Sequence, residues 1–584
     1  MQSLGKFKSQ VSQILGGVAT GLLLAAVACG AAATATPAPT SAPLPTAVQP
    51  ATSAAVATAT PAPAVKPAVA VNPGKLTIMV GYVGNERFDR LFVDGTGAEI
   101  YGRIMHGFLI STSEKREMVP GIASRWGVSP DGLTWTFTIR KGVKFHDGSE
   151  LTPEDALWSL QQKFGPKAYE YIPFPTAAAV SRKMSKIELT GQDEISLTTK
   201  EFISDFAIYN LSEAGLTWSG HIMPKRPKLW DKEQEAAYDK NPIGAGIVKL
   251  VKYVPASKME FERFDDFYYQ PKNGFSEDRR VKFQSLALVV VPEEATRVAA
   301  LRSGEVDVAP VSVAARKQVE AGSGRLVFSA EGTLIDVRLF GCSDPKYPCH
   351  DKRVRQALDY AINKEVIRDK LFGGSEVFQV KGWSIVTPST IGYTPEIDPW
   401  PFNPAKARQL LADAGYPEGK GFGKLIVNTT SAATIPLQVE AATLGAEFWR
   451  RELGLDAEVK VGDGAALTRA TRAGELDGQI YWADQQTRTD ATSYIFLRYA
   501  DPEFLPRVSK DPELDRLTKE AFSIVDPDKR AEASKKLFLR LKDESYYLGI
   551  GYYNVPWAVG PRVLTWQPLP LALYASALHT LTLK

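Results

Sequence analysis

Two carboxylates six residues apart, Asp484 and Asp490 in YWADQQTRTDA, are of the type that could perform acid–base chemistry. A paired acid and base can hydrolyse a glycosidic or peptide bond. That spacing is unremarkable in any sequence, however, and no nucleophile motif accompanies it. GxSxG, HExxH, a Walker loop and GxGxxG after a strand are all missing. The five histidines, His106, His146, His221, His350 and His579, are scattered without metal-ligand spacing. Two of them precede an aspartate, His146-Asp147 and His350-Asp351, and read as satisfied turn residues. The residues therefore lead us to expect no metal, no cofactor and no catalytic step.

The elements that hold these residues begin with an export signal. Lys6 and Lys8 precede an apolar stretch from Ile14 to Ala28, whose 15 residues fall short of the roughly 20 that span a bilayer. Residues 1–28 form a signal peptide in this reading. The small residues Ala26, Val27 and Ala28 before Cys29 match a bacterial lipobox, in which Cys29 receives lipid. The same Ala-x-Ala also fits ordinary signal peptidase cleavage, and a lipobox usually has Leu where Ala26 stands. Residues 29–73 then contain almost only Ala, Thr, Pro, Val and Ser with one charge, Lys66. Such a composition cannot bury a core, and its prolines favour extended conformers, so it reads as a stalk between the membrane and a folded body. The protein is expected outside the cytoplasm, anchored to the outer face of the cell membrane or in the periplasmic space.

Composition limits what that body can do. At 584 residues, with 44% hydrophobic and 23% charged residues, two or more soluble lobes are expected. Lys plus Arg number 69 against 66 Asp plus Glu, a net charge of +3 without long basic runs, which argues against a nucleic-acid partner. Three cysteines exclude a disulfide scaffold or a four-cysteine metal site. Cys342 and Cys349 bracket six residues in GCSDPKYPCHD, and outside the cytoplasm the pair can close a small disulfide loop. Free thiols, or a metal shared with His350, are the alternatives.

Local signals place the elements. Leu133, Trp135, Phe137 and Ile139 alternate with Thr134, Thr136 and Thr138 after the turn Ser129-Pro130-Asp131-Gly132, which predicts a half-buried strand. Thr152, Pro153 and Asp155 form a helix start with a capping box. Val354, Ala357, Leu358, Ala361, Ile362 and Ile367 recur at helical spacing. Asn403, Pro404 and Gly415 bound another helix. All of these read as scaffold.

The stretch SRWGVSPDGLTWTFTIRKGVKFHDGSELTPEDALWSL resembles the signature of the large solute-binding proteins of ABC importers, family 5, the oligopeptide, dipeptide and nickel-binding group. Trp126, Asp131, Gly132, Phe137, Arg140, Val143 through Gly148, Thr152 and Asp155 carry the match. Val291 to Val308, Asp351 to Ile362 and Asn403 to Pro417 resemble later segments in the expected order, so that the resemblance covers about Gly74 to Arg562. Asn241-Pro242-Ile243-Gly244-Ala245-Gly246 stands where the family usually has Gly-Thr-Gly-Pro-Tyr.

The resemblance implies an α/β, two-lobed, periplasmic-binding-protein-like fold of class II, a Venus flytrap, with an extra α+β subdomain in the first lobe. Lobe 1 would take residues 74–335 with the subdomain at about 101–239, lobe 2 residues 336–544, and residues 545–584 would return to lobe 1. Crossings near Glu331 to Leu339 and Glu544 to Ile550 would form the hinge. Ligand held in the cleft would favour the closed form, which permease subunits and, through them, an ATPase would recognise. A monomer is the family's usual state.

A peptide is the ligand the resemblance implies. It needs a carboxylate for its amine and a cation for its terminus, whereas sugars and haem-like ligands favour aromatic walls. The family often has Trp-x-x-Asp and then Asp-Pro, where an acid meets the amine; here Trp482-Ala483-Asp484 is one residue shorter and Ala491 replaces the proline. Asp484 and Asp490, with Tyr481 and Trp482, are the candidates at this place. Gly95, Thr96 and Gly97 near the end of the first strand, and the aromatic Trp383, complete the set of expected cleft residues. Two rival readings are a surface receptor that senses a sugar, metal chelate or other solute without transport, and the hydrolase with which the carboxylate pair began.

Overall fold

A computed structural model describes residues 74–83, 86–89, 96–171, 175–213, 220–431, 435–499 and 510–584. These residues all belong to the unit 68–584. The signal peptide, Cys29, the stalk and Gly95 lie outside them.

An eleven-stranded sheet runs through both lobes. On the first-lobe side Lys75–Val80 lies between Ser285–Val290 and Val308–Pro310, parallel to both, and the antiparallel strands Lys258–Arg263 and Val248–Val254 extend the edge. On the second-lobe side Lys424–Thr429 pairs in parallel with Asp456–Val461 and Ile480–Gln486. Parallel neighbours need crossover connections, and here each is made through helices such as Gln438–Leu453.

Two long antiparallel strands at the centre, Arg325–Leu339 and Tyr547–Val559, belong to both sides. Their N- and C-terminal halves bond to different neighbours: Tyr547–Val559 takes Val308–Pro310 at one end and Phe378–Gln379 nearer the other, while Thr333–Leu339 pairs with Ile480–Gln486. The register shifts between Ser329 and Thr333, where Glu331 has φ +54, and again opposite Gly549 and Gly551. Gly551 has φ +144, and a Cβ there would stand 2.2 Å from the Gln379 carbonyl oxygen, so this bend requires glycine.

Separate cores fill the two sides. Trp449, Trp482, Trp383 and Phe538 belong to the core of the second lobe, while Leu76, Ile78, Phe88 and Trp557 belong to that of the first. A four-stranded antiparallel sheet, Ala123–Val128, Thr134–Ile139, Glu194–Thr199 and Met184–Leu189, has its own core around Phe137, Ile139, Leu160 and Phe164. The helix Pro153–Phe164 packs on it. Its capping box is complete: Asp155 N–H donates to Thr152 Oγ1 at 3.3 Å and Thr152 N–H to the Asp155 carboxylate at 2.8 Å.

The helical periodicity after Asp351 is divided in the structure. Lys352–Tyr360 ends near Ala361, and Asn363 caps a second helix, Lys364–Leu371, by accepting from Val366 N–H at 3.0 Å. Val354, Ala357, Leu358, Ala361, Ile362 and Ile367 still share one buried surface across the break. Asn403 likewise caps Pro404–Asp413, and Gly415 follows at φ +95.

His146 fixes the turn where the sequence departs from the family. Gly244 N–H donates to its Nδ1 at 3.3 Å, so Nε2 carries the proton and donates to the Gly246 carbonyl at 3.2 Å. Burial pushes this imidazole's pKa down to about 4, and Lys249 adds to the shift. His146 is a neutral structural residue.

Cys342 and Cys349 are joined, with Cα atoms 5.0 Å apart, and both are buried in the second lobe's core. Among the described residues no group of His, Cys, Asp and Glu is arranged to hold a metal ion, and no helix is long and apolar enough to cross a membrane.

Candidate functional site: a pocket lined from both lobes

The strand Ile480–Gln486 carries three of the candidate residues beside the crossing strand, with Tyr481 opposite Arg338, Trp482 opposite Val337 and Asp484 opposite Ile335. Alternation sends Trp482 into the core, where it meets Trp449 edge-on at 6.2 Å and closes over Gly445. Tyr481 is also buried, and the Arg338 guanidinium lies 5.6 Å from its ring centroid. Trp383 is 2% exposed and packs edge-on against Tyr547 at 5.9 Å. The two tryptophans expected in the cleft are therefore core side chains. Each was placed by residue type, and type alone does not separate a cleft wall from a core.

Asp484 is half-buried on its strand. Asp490 lies beyond the strand's end, where the chain turns between the lobes, and it lines two adjoining pockets. Thr96 opens the helix Thr96–Met105 on the first-lobe side, with Gly97 next to it. Asp490 thus lines these pockets, while Trp383, Tyr481 and Trp482 belong to the core of the second lobe.

The larger pocket has a volume of about 780 Å³. Its first-lobe wall is made by the four-stranded sheet and its neighbours, including Arg116, Trp126, Trp135 and Phe202; the second lobe supplies Ile391, Asp490, Val525 and Arg530. Trp135 lies on the same strand face as Phe137, with ring centroids 6.3 Å apart, but at the end where that face leaves the core. The strand read as scaffold thus contributes a cleft wall.

Several side chains bridge the lobes around this pocket. The Arg488 guanidinium lies 4.3 Å from the ring centroid of Tyr209, on the first-lobe segment Phe206–Leu211, and 4.6 Å from that of Tyr494 in the second lobe. Burial pushes the Tyr209 phenol up to about 12, so it stays neutral at any physiological pH. Phe202 faces Phe522 at 6.4 Å, and Lys183 lies 5.5 Å from the Phe496 ring. Sequence reasoning missed Arg488 and Arg530. A signal was present for Arg488, two residues before Asp490 in the segment already singled out.

Glu331 ties the crossing strands to their neighbours. Its carboxylate accepts from the N–H and hydroxyl of Ser389, each at 3.0 Å, and its own N–H donates to Asn554 Oδ1 at 2.9 Å. Its carbonyl accepts from the Thr487 hydroxyl. One residue in the left-handed region thereby joins the crossing strands to two second-lobe segments.

A two-lobed α/β body joined by paired crossing strands, with a pocket lined from both sides, has the architecture of a ligand-binding protein. The family model for bacterial extracellular solute-binding proteins, family 5, matches residues 117–503, and the chain belongs to that family: it is a solute-binding protein. It is 27% identical over 346 residues to a dipeptide-binding protein of Escherichia coli, a match covering 56% of this chain and 59% of that one. It is 23% identical over 492 residues to heme-binding protein A of Haemophilus influenzae, covering 81% and 86% of the two chains. An ABC transporter substrate-binding protein of Listeria monocytogenes, CtaP, superposes with a TM-score of 0.72 at 21% identity over 88% of this chain and 100% of that one.

Proposed function

We propose that this chain is the extracytoplasmic ligand-capturing component of an ABC importer, that its ligand is a peptide, and that capture is hinged closure without a catalytic step. The pocket lined by both lobes around one pair of crossing strands is the observation that carries this reading. A ligand touching both walls has contacts in the closed form that the open form lacks, and that difference in affinity drives closure. The peptide assignment is supported by the dipeptide-binding relative. In this reading lipid on Cys29 holds the protein at the outer face of the membrane, residues 29–73 act as the stalk, and a monomer delivers its ligand to the permease.

Native mass spectrometry on the full chain, purified without refolding, tests the proposal. Peptide masses released on denaturation are expected, with a smaller radius of gyration in solution scattering when they are bound. A sugar or metal chelate released instead would remove the peptide, and no closure with any solute of a broad panel would remove capture itself. Cys29→Ala is expected to abolish detergent-phase partitioning; unchanged partitioning would rule out the lipid anchor.

A further inference from the structure

The lobes touch each other directly through segments that do not belong to the crossing strands. In the first lobe the turn 129–132 ends at Gly132, with φ +74, where a Cβ would stand 2.5 Å from Phe202 Cδ2 and 2.7 Å from Val525 Cγ2 of the second lobe. Both side chains close over this bare backbone. Phe202 also faces Phe522 with ring centroids 6.4 Å apart, and Phe522 stacks on Phe496 at 4.4 Å. Lys183, at the end of the first-lobe helix Pro175–Lys183, pairs with Glu201 at 2.6 Å and places its ammonium 5.5 and 5.9 Å from the rings of Phe496 and Phe522.

The second-lobe side of this contact is fixed within its own lobe. Arg530 donates to the carbonyls of Ile524 and Val525 at 3.1 and 3.3 Å, and Asp526 caps the helix Pro527–Glu544 by accepting from Lys529 N–H at 2.9 Å, which together set the place of Val525. A second contact is built in the same way. The Arg488 carbonyl accepts from the Thr390 hydroxyl at 2.7 Å and the Tyr494 hydroxyl donates to Gln485 Oε1 at 2.5 Å, so the Arg488 guanidinium meets Tyr209 of the first lobe from a fixed second-lobe base. Every group in both contacts belongs to the protein itself. Separating the lobes would return faces of Phe202, Phe522 and Val525 to water and break both cation–ring contacts.

We infer that these two contacts form a latch that closes the lobes on each other without ligand, so that the ligand-free protein divides between an open and a latched form. The inference rests on the hinged-closure reading and deepens it. One aromatic pair, or one cation over a ring, biases such an equilibrium by about two- to tenfold, and a bias of that size leaves both forms populated. A ligand then finds part of its closure supplied in advance. Its apparent affinity is its affinity for the latched form multiplied by the latched fraction, a factor that is the same for every ligand.

Pulsed electron-spin distance measurements on the full chain test the latch, after bound solute is removed by unfolding and refolding. Labels on Lys252→Cys and Lys460→Cys, exposed on the two edge strands Val248–Val254 and Asp456–Val461 of the large sheet, report the opening in a Cys29→Ala background. The ligand-free protein should give two distances. Phe522→Ala, with folding checked by its melting curve, should lower the ratio of latched to open molecules about fivefold. Lys183→Gln, at a half-buried position outside the cores, should lower it about twofold and carries the test if Phe522→Ala does not fold. A single distance in the ligand-free protein, or a ratio that neither variant moves, overturns the inference. If the variants move the ratio but a mixture of tri- to pentapeptides does not, the latch stands and the peptide-capture reading falls.

Discussion

Substitutions at Glu331 separate the two physical effects combined in that residue. Removing its carboxylate with Glu331→Ala deletes two bonds from Ser389 to a charged acceptor in a site only 8% exposed. Each such bond is worth about 1.5 kcal/mol at the lower end of its range, so the pair gives about 3 kcal/mol. Alanine retains the cost of φ +54. Glu331→Gly loses the same two bonds but relieves about 1.5 kcal/mol of left-handed strain, of which about 0.7 is offset by the greater freedom of glycine in the unfolded chain. The expected loss for glycine is therefore about 2 kcal/mol. Glu331→Gln keeps the length and one acceptor oxygen, so about 1 kcal/mol is expected. Urea unfolding of the full-length variants, at one temperature and without added ligand, should order the midpoints as wild type, Gln, Gly, Ala. A glycine variant no more stable than the alanine variant would refute the strain argument, and an alanine variant within about 0.5 kcal/mol of wild type would refute the bonding argument.

Three further outcomes follow from the scaffold. His146 is held neutral, so its contribution is complete above its unfolded pKa near 6.5 and is lost as pH falls toward about 4; discounting for the ring edge that water reaches, this is about 2 kcal/mol. The stability gap between wild type and His146→Gln, followed by urea midpoints from pH 7 to pH 4, should shrink by that amount, and parallel pH profiles would contradict it. Reducing the bond between Cys342 and Cys349, seven apart in sequence, should cost about 2.5 kcal/mol from loop entropy, measured by unfolding with and without reductant; no change would show that the bond does not constrain the unfolded chain. Gly244→Ala would place a Cβ 1.9 Å from the Met105 carbonyl oxygen, a backbone clash expected to cost more than about 3 kcal/mol in the same assay; near-native stability would show that the two segments can separate freely.

Features written in adjacent residues were legible from the sequence. The bonds of the Thr152 to Asp155 capping box span three residues, and the alternation of the Thr134–Ile139 strand needs only its own side chains. The pocket depends on distant partners. Asp490 is visible as an acid, but its ion-pair partner, Arg530, lies forty positions later. Arg488 meets Tyr209 across more than two hundred and seventy residues. Trp383 was expected in the cleft and Trp135 in a scaffold strand; tertiary packing sent the first into the core, and the second, at the end of a strand face, lies beside the pocket. Residue identity gave the chemistry available, while long-range packing decided where it could be used.

The crossing strands have a mechanical consequence. Two adjacent chains bonded to each other through most of their length resist sliding and twisting as separate tethers would not, because either motion breaks a row of ladder bonds. Bending across the line joining the two register breaks leaves the flanking ladders intact. In the proposed closure the crossing strands favour one coordinate of motion, an opening angle. On the proposed function, a ligand that closes the pocket produces the same outward change whatever its chemistry. The surface that reads the ligand is, on that function, separate from the strands that set this motion.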